Sequence, residues 1–174
     1  GVTPFLADPR QALALIDRRY AELGLEPVCA TELEFYLVDP NEESARPPIS
    51  PYTGKRLDSD ALLSLDELED FGAFFRDVYD QCEGQCVPAD TAIAENGGGQ
   101  FEINLLHTNA LKAADDAVLF KRIVKGVARK HNLVATFMAK PYGTRSGNGF
   151  HVHFSLNDSA GNNVFDDSTD SGSE

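Results

Sequence analysis

The stretch Glu95-Asn96-Gly97-Gly98-Gly99-Gln100-Phe101-Glu102-Ile103-Asn104-Leu105 joins a glycine turn to an alternating segment. Successive strand side chains point to opposite faces. Phe101, Ile103 and Leu105 therefore share one face, and Gln100, Glu102 and Asn104 share the other. Three glycines in a row let the backbone turn sharply and approach another group closely. The turn can bring Glu95 back towards Glu102. Read alone, the segment is equally a plain hairpin with one exposed glutamate.

Two more segments repeat the design. In Thr31-Glu32-Leu33-Glu34-Phe35-Tyr36-Leu37, Leu33, Phe35 and Leu37 face a core, and Glu32 and Glu34 face away from it. Carboxylates two strand positions apart are about 7 Å from each other. At an effective dielectric of about 20 they repel by roughly 2 kcal/mol. Water absorbs that cost on an open face, whereas an enclosed face requires a cation. In Phe150-His151-Val152-His153-Phe154-Ser155-Leu156, His151, His153 and Ser155 form the polar face. Phe150, Val152, Phe154 and Leu156 form the apolar one, expected in the core. A glycine-bracketed loop, Ser146-Gly147-Asn148-Gly149, precedes it.

Each strand singly fits a solvated sheet face or a structural histidine. Three strands that each bury an apolar face and present acid or imidazole on the other point to groups lining one cavity. Oxygen-rich ligation selects hard divalent ions, Mg²⁺ or Mn²⁺, and an imidazole tilts the choice towards Mn²⁺. Five candidate ligands (Glu32, Glu34, Glu95, Glu102 and His151) exceed what one Mg²⁺ takes from protein, so two ions are expected. Paired hard ions commonly clamp a phosphoryl transfer.

Around these strands the pattern is mixed. A helix is expected from Asp8, a cap followed by Pro9, to a stop at Gly24, with Ala12, Leu13, Ile16, Tyr20 and Leu23 on one face. A second runs from near Asp66 to near Gly84, with Leu68, Phe71, Phe75, Val78 and Cys82 inward. A third runs from about Asn109 to His131, stopped by Asn132, with Ala113, Ala117, Phe120, Val124 and Val127 inward. Strands are expected at 28–38, twice within 91–106, at 133–139, at 150–156 and briefly at 163–165. Residues 39–57 read as a surface loop or short hairpin, and 166–174 as a frayed tail. No phosphate-loop or dinucleotide fingerprint occurs. The order predicts an α+β fold, a curved antiparallel sheet with flanking helices.

The 174 residues carry 28 acidic against 15 basic side chains, a net charge of −13. That length suits one domain, or one and a part. The acid excess argues against nucleic acid and against anionic lipid as partners. No run of 18 apolar residues exists to span a membrane. Gly1-Val2-Thr3-Pro4 lacks a signal-peptide pattern, and the three cysteines, Cys29, Cys82 and Cys86, read as thiols of a reducing compartment, the cytoplasm. Cys82 and Cys86 are spaced too loosely for a metal pair and read as small, buried or half-buried side chains.

The run from Glu95 to Asn104 resembles the E-x-G-x-G-Q-x-E signature of the glutamine synthetase family. Phe137-Met138-Ala139-Lys140-Pro141 resembles its F-M-x-K-P segment, Ser146 to Ser155 its glycine loop with H-x-H-x-S, and Glu32-Leu33-Glu34-Phe35 its E-x-E-F strand. The order agrees, and nearly all of the chain is covered. The resemblance implies an active site on the concave side of the sheet. It implies that Glu34, Glu95 and Glu102 hold one metal, and that Glu32 and His151 hold the other with a third ligand from elsewhere. Gly147 matches the loop glycine that approaches substrate glutamate; Ser146 stands where many members carry asparagine. His153 and Ser155 match positions near the nucleotide, and Asp90 matches an acidic one more loosely.

The implied reaction is ATP-dependent amide synthesis. The γ-phosphoryl group of ATP passes to the glutamate side chain, and ammonia or an amine then displaces phosphate. Residues 1–174 would be the N-terminal portion of a catalytic domain, without the family's β-grasp domain and without the C-terminal part. The resemblance therefore implies that this stretch alone does not complete the reaction, and that the intact protein is a homo-oligomer, a large ring. Met138 to Tyr142 and Gly161 to Phe165 look similar to a bacterial branch that includes γ-glutamylpolyamine synthetases, so both acceptors stay open. Two rivals of other classes stand beside this reading. One is a non-catalytic metal- or nucleotide-binding relative or assembly module. The other is a two-metal phosphatase or nuclease, which would require an aspartate-rich constellation.

Overall fold

The computed structural model describes residues 5, 7–41, 45–58 and 62–167. The tail expected at 166–174 lies outside these from residue 168 on, as does the N-terminal stretch Gly1–Pro4. Helix α1 (Pro9–Glu22) is followed by β1 (Glu26–Val38), α2 (Leu65–Asp70), α3 (Gly72–Gly84), β2 (Ala89–Ala94) and β3 (Gln100–Asn109). Then come α4 (Ala110–Lys130), β4 (Val134–Thr136) and β5 (Phe150–Asn157). The strands form one open sheet in the order β2-β3-β1-β4, with β5 also paired to β1. The β2–β3 and β1–β4 pairs are antiparallel. The α+β expectation is met: helices lie beside a mainly antiparallel, unclosed sheet.

Residues 32–106 and 116–151 form the larger of two compact units. Its core is the apolar face anticipated for β1 and β3. Leu33, Phe35, Leu37, Phe101 and Ile103 are at most 1% exposed. Phe74, Phe75 and Val78 of α3 and Phe120, Val124 and Val127 of α4 pack into the same cluster. Phe35 is its centre, with ring centroids 6.3 Å from Phe74, 6.2 Å from Phe101, 6.5 Å from Phe120 and 5.4 Å from Phe137. Burying one such ring stabilises by about 2–3 kcal/mol. With that face buried, pleating turns Glu32, Glu34 and Tyr36 to the other side. Asn132 takes φ +55°, the left-handed stop expected after α4.

The helix expected from Asp66 to Gly84 is in fact two. Phe71 leaves helical geometry (φ −103°, ψ 18°) and its backbone N–H bonds Glu67 O, which closes α2. Ser64 caps α2 by accepting the Glu67 N–H. The strand expected at 133–139 covers only 134–136. Asn148 takes up the carbonyls beyond it, its Nδ2 bonding Thr136 O and Met138 O and its backbone N–H bonding Ala139 O. The loop expected at the surface over 39–57 is partly inside, since Pro47, Pro48 and Ser50 are buried. Its hairpin reduces to one bridge between Ile49 and Arg56.

The smaller unit holds residues 1–31, 107–115 and 152–174. Asp8 caps α1 by accepting the Arg10 N–H, as anticipated, and Gly24 follows the helix at φ +73°. The expected apolar face of α1 is not buried: no residue of the helix is. Ala12, Leu13 and Tyr20 are half-buried, and Leu13 packs on a cluster of Cys29, Ala110 and Ala113. The apolar face of β5 also departs from expectation. Val152 is 56% and Phe154 47% exposed, and only Leu156 is buried. The brief strand at 163–165 is one bridge, Asn157 to Asn163, closed by Asp158 Oδ1 accepting from the Ala160 and Asn162 N–H groups.

Candidate functional site

On the site-facing side of β1, alternation presents Glu32, Glu34 and Tyr36 in a row. Glu102 of β3 and His151 of β5 meet them in the larger unit. Glu32, Glu102 and His151 each offer a ligand atom, and these atoms lie within 4.8 Å of one another. His151 Nδ1 lies 3.0 Å from Glu32 Oε2. Glu102 is 6% exposed. Burial, then the charges of Glu32, Glu95 and Glu34, push its carboxyl up to about 7. Glu95 is also raised, by burial first and then by Glu34. Burial and the neighbouring carboxylates both disfavour the charged form of these two groups.

The Gly97–Gly99 turn works as the sequence suggests. The Glu95 N–H bonds Gln100 O at 2.8 Å, returning Glu95 to the β3 end. A Cβ at Gly97 would lie 2.0 Å from Tyr36 Oη, so only glycine fits there. Gly99 has φ +77°, and a Cβ on it would lie 2.6 Å from Pro48 Cδ. Glu67, buried on α2, accepts the Gly99 N–H at 3.1 Å. The sequence reading missed Glu67, although Ser64-Leu65-Asp66-Glu67 has the S-x-x-E spacing of a capping box.

The loop 146–149 is held from several sides. Tyr36 Oη donates to Ser146 O at 2.9 Å, and Asn96 Nδ2 donates to Ser146 Oγ at 2.8 Å. Gly147 approaches Ala139 O so closely that a Cβ would sit 2.7 Å from it. Gly149 abuts the acidic cluster, where a Cβ would meet Glu34 Oε1 at 2.7 Å. Lys140 Nζ donates to Arg145 O, closing the loop's base.

Glu34 and Glu95 lie close enough to interact electrostatically, but the tight three-residue group is Glu32, Glu102 and His151. The exposed Asp90 accepts from Tyr79 Oη through its backbone carbonyl at 2.8 Å. In the smaller unit, His153 and Ser155 line an open cleft of about 250 Å³ with Val28, Ala30, His107 and Phe154. Cys82 is buried, as expected, which pushes its thiol up to about 11, whereas Cys86 is exposed rather than buried or half-buried.

A carboxylate–imidazole cluster that could hold a metal ion thus lies on the polar face of an open, mainly antiparallel sheet, beside a glycine turn and a glycine loop. The glutamine synthetase catalytic domain family matches residues 6–174, and the chain belongs to that family, one of ATP-dependent ligases. It is 43% identical over 168 residues to the γ-glutamylputrescine synthetase PuuA of Escherichia coli K12, covering 94% of this chain and 36% of the relative. It is 34% identical over 155 residues to a glutamine synthetase of Methanocaldococcus jannaschii, covering 88% of this chain and 33% of the relative. A solved structure of GmaS without ligand superposes with a TM-score of 0.85 at 30% identity, covering 98% of this chain and 39% of that one. The chain thus spans about a third of the length of the curated relatives it matches.

Proposed function

We propose that the intact protein joins glutamate to an amine through ATP-dependent formation of a γ-glutamyl amide. The observation that carries this reading is the convergence of Glu32, Glu102 and His151 within 4.8 Å, with Glu102 pushed up to about 7 by burial and neighbouring carboxylates. That donor set fits Mg²⁺ or Mn²⁺, two per site, with Glu34 and Glu95 completing the ligands. A divalent cation bound there would offset phosphate charge during transfer.

The chain's own residues do the positioning. Glu32 and His151 fix each other's orientation through the 3.0 Å contact. Tyr36, Asn96 and Gln100 hold the 146–149 loop at Ser146 and Gly147, where the substrate glutamate is assigned. Asp90 is assigned to the nucleotide. So are His153 and Ser155, on the lining of their own cleft. Held reactants lower the entropic cost of the transition state.

The identity to PuuA favours an organic amine such as putrescine as acceptor; ammonia is the second reading, supported by the relation to a glutamine synthetase. Assembly into a ring of copies, and work in the cytoplasm, belong to the same proposal. No helix among the described residues is long and apolar enough to cross a membrane. Phosphate release by the intact protein, measured with glutamate and ATP plus either putrescine or ammonium, tests the reading. Release that requires glutamate and rises with putrescine supports it. Equal release with ammonium alone moves the assignment to glutamine synthesis, and release that ignores glutamate refutes both.

A further inference from the structure

Gln100 begins β3 with a side chain that is 1% exposed. Its Oε1 accepts the Gly97 N–H at 3.1 Å. Its Nε2 lies 2.9 Å from Glu34 Oε2, 2.9 Å from Gly147 O and 3.2 Å from Asn148 Oδ1. A primary amide has two N–H donors and one carbonyl acceptor. Three acceptors around the nitrogen and one donor at the oxygen fix which way the amide points. The reversed amide would set oxygen against a carboxylate and a carbonyl.

One buried side chain therefore bonds three separate segments: the glycine turn, the carboxylate of Glu34, and the carbonyl of Gly147. The backbone reinforces the last link, since the Glu34 N–H bonds Gly149 O at 3.2 Å. A carboxylate held by one N–H from Gln100 has a restricted orientation. The same –NH₂ group spends its other hydrogen on the loop.

We propose that Gln100 is a positioning residue that ties the aim of the Glu34 carboxylate to the placement of the Gly147 loop, so that cation binding and glutamate binding are coupled through one amide. The proposal rests on the ligase reading given above. Partners that orient a metal ligand typically change metal affinity by about 10- to 100-fold when removed.

The test uses the intact protein with Gln100→Met, which keeps volume and removes both donors, and Gln100→Glu, which keeps shape and sets a carboxylate against Glu34. Mn²⁺ affinity is read by calorimetry without substrates, and the KM for glutamate is read at saturating Mn²⁺ and ATP. Both variants are expected to bind Mn²⁺ about tenfold more weakly, to show a raised glutamate KM, and to leave the KM for ATP near the wild-type value. Wild-type Mn²⁺ affinity and glutamate KM in both variants would overturn the proposal. So would a lowered melting temperature alone, or failure of both variants to fold, because Gln100 would then be structural only. A wild-type protein that binds no Mn²⁺ or forms no γ-glutamyl amide would overturn the ligase reading and this inference with it. The wild-type arm therefore separates the two failures.

Discussion

Replacing Glu102 by glutamine is expected to stabilise the cation-free protein above neutral pH while removing cation binding. The Glu102 carboxyl lies near 7 in the folded chain against an ordinary 4.5, raised first by burial and then by Glu32, Glu95 and Glu34. A raised carboxyl holds its proton more tightly folded than unfolded, so stability falls as pH rises from about 4.5 to about 7. The penalty is absent below that window and complete above it. Moving a carboxyl that far corresponds to roughly 3 kcal/mol, reduced to about 2 kcal/mol by the solvent that still reaches the cluster. Glutamine keeps the shape and carries no charge. At pH 8 the variant's melting temperature is expected to exceed wild type by about 4 °C, at roughly 2 °C per kcal/mol, and at pH 4.5 the two should converge. Mn²⁺ at about a hundred times its Kd adds about 2.7 kcal/mol to the wild type and little to the variant, so the order reverses. Equal melting temperatures at pH 8 without metal, or equal stabilisation of both proteins by Mn²⁺, would refute the reasoning.

Gly149→Ala places a methyl group 2.7 Å from Glu34 Oε1 and 3.2 Å from His151 Nε2. It is expected to lower turnover by at least about tenfold with little change in melting temperature, checked by steady-state kinetics beside calorimetry. Gly99→Ala meets both a φ of +77° and Pro48 Cδ at 2.6 Å. Its cost is expected to be about 2–3 kcal/mol of stability, read as a lowered denaturation midpoint. Ser64→Ala removes the oxygen that accepts the Glu67 N–H and is expected to cost about 1 kcal/mol. Its effect on turnover should be slight if Glu67 keeps its bond to Gly99, which kinetics at fixed temperature would show.

Period-two alternation made β1 and β3 legible because both bury one face in the same core. Leu33, Phe35, Phe101 and Ile103 are inside, and the intervening glutamates follow from the pleat. The same alternation misread β5, because a pattern records which face is apolar and not whether anything covers it. Phe150, Val152 and Phe154 stay about half exposed. The apolar stripe of α1 was overread for the same reason. The break at Phe71 was hidden because Leu68, Phe71, Phe75 and Val78 keep helical spacing across it. In the site, Glu32, Glu102 and His151 stood out as repeated charges on strand faces. Gln100 was legible only as part of a polar face and a signature, and Glu67 not at all, since their roles are hydrogen bonds to backbone and side chains far away in the sequence.

The central claim is that acidic and imidazole groups from β1, β3 and β5 share a divalent cation. Anomalous diffraction from crystals of the intact protein grown with Mn²⁺ tests it most directly. The account predicts two manganese peaks in the cluster, one of them bounded by the side chains of Glu32, Glu102 and His151. A well-ordered crystal with its manganese elsewhere, or with none beside those three residues at saturating Mn²⁺, would contradict it.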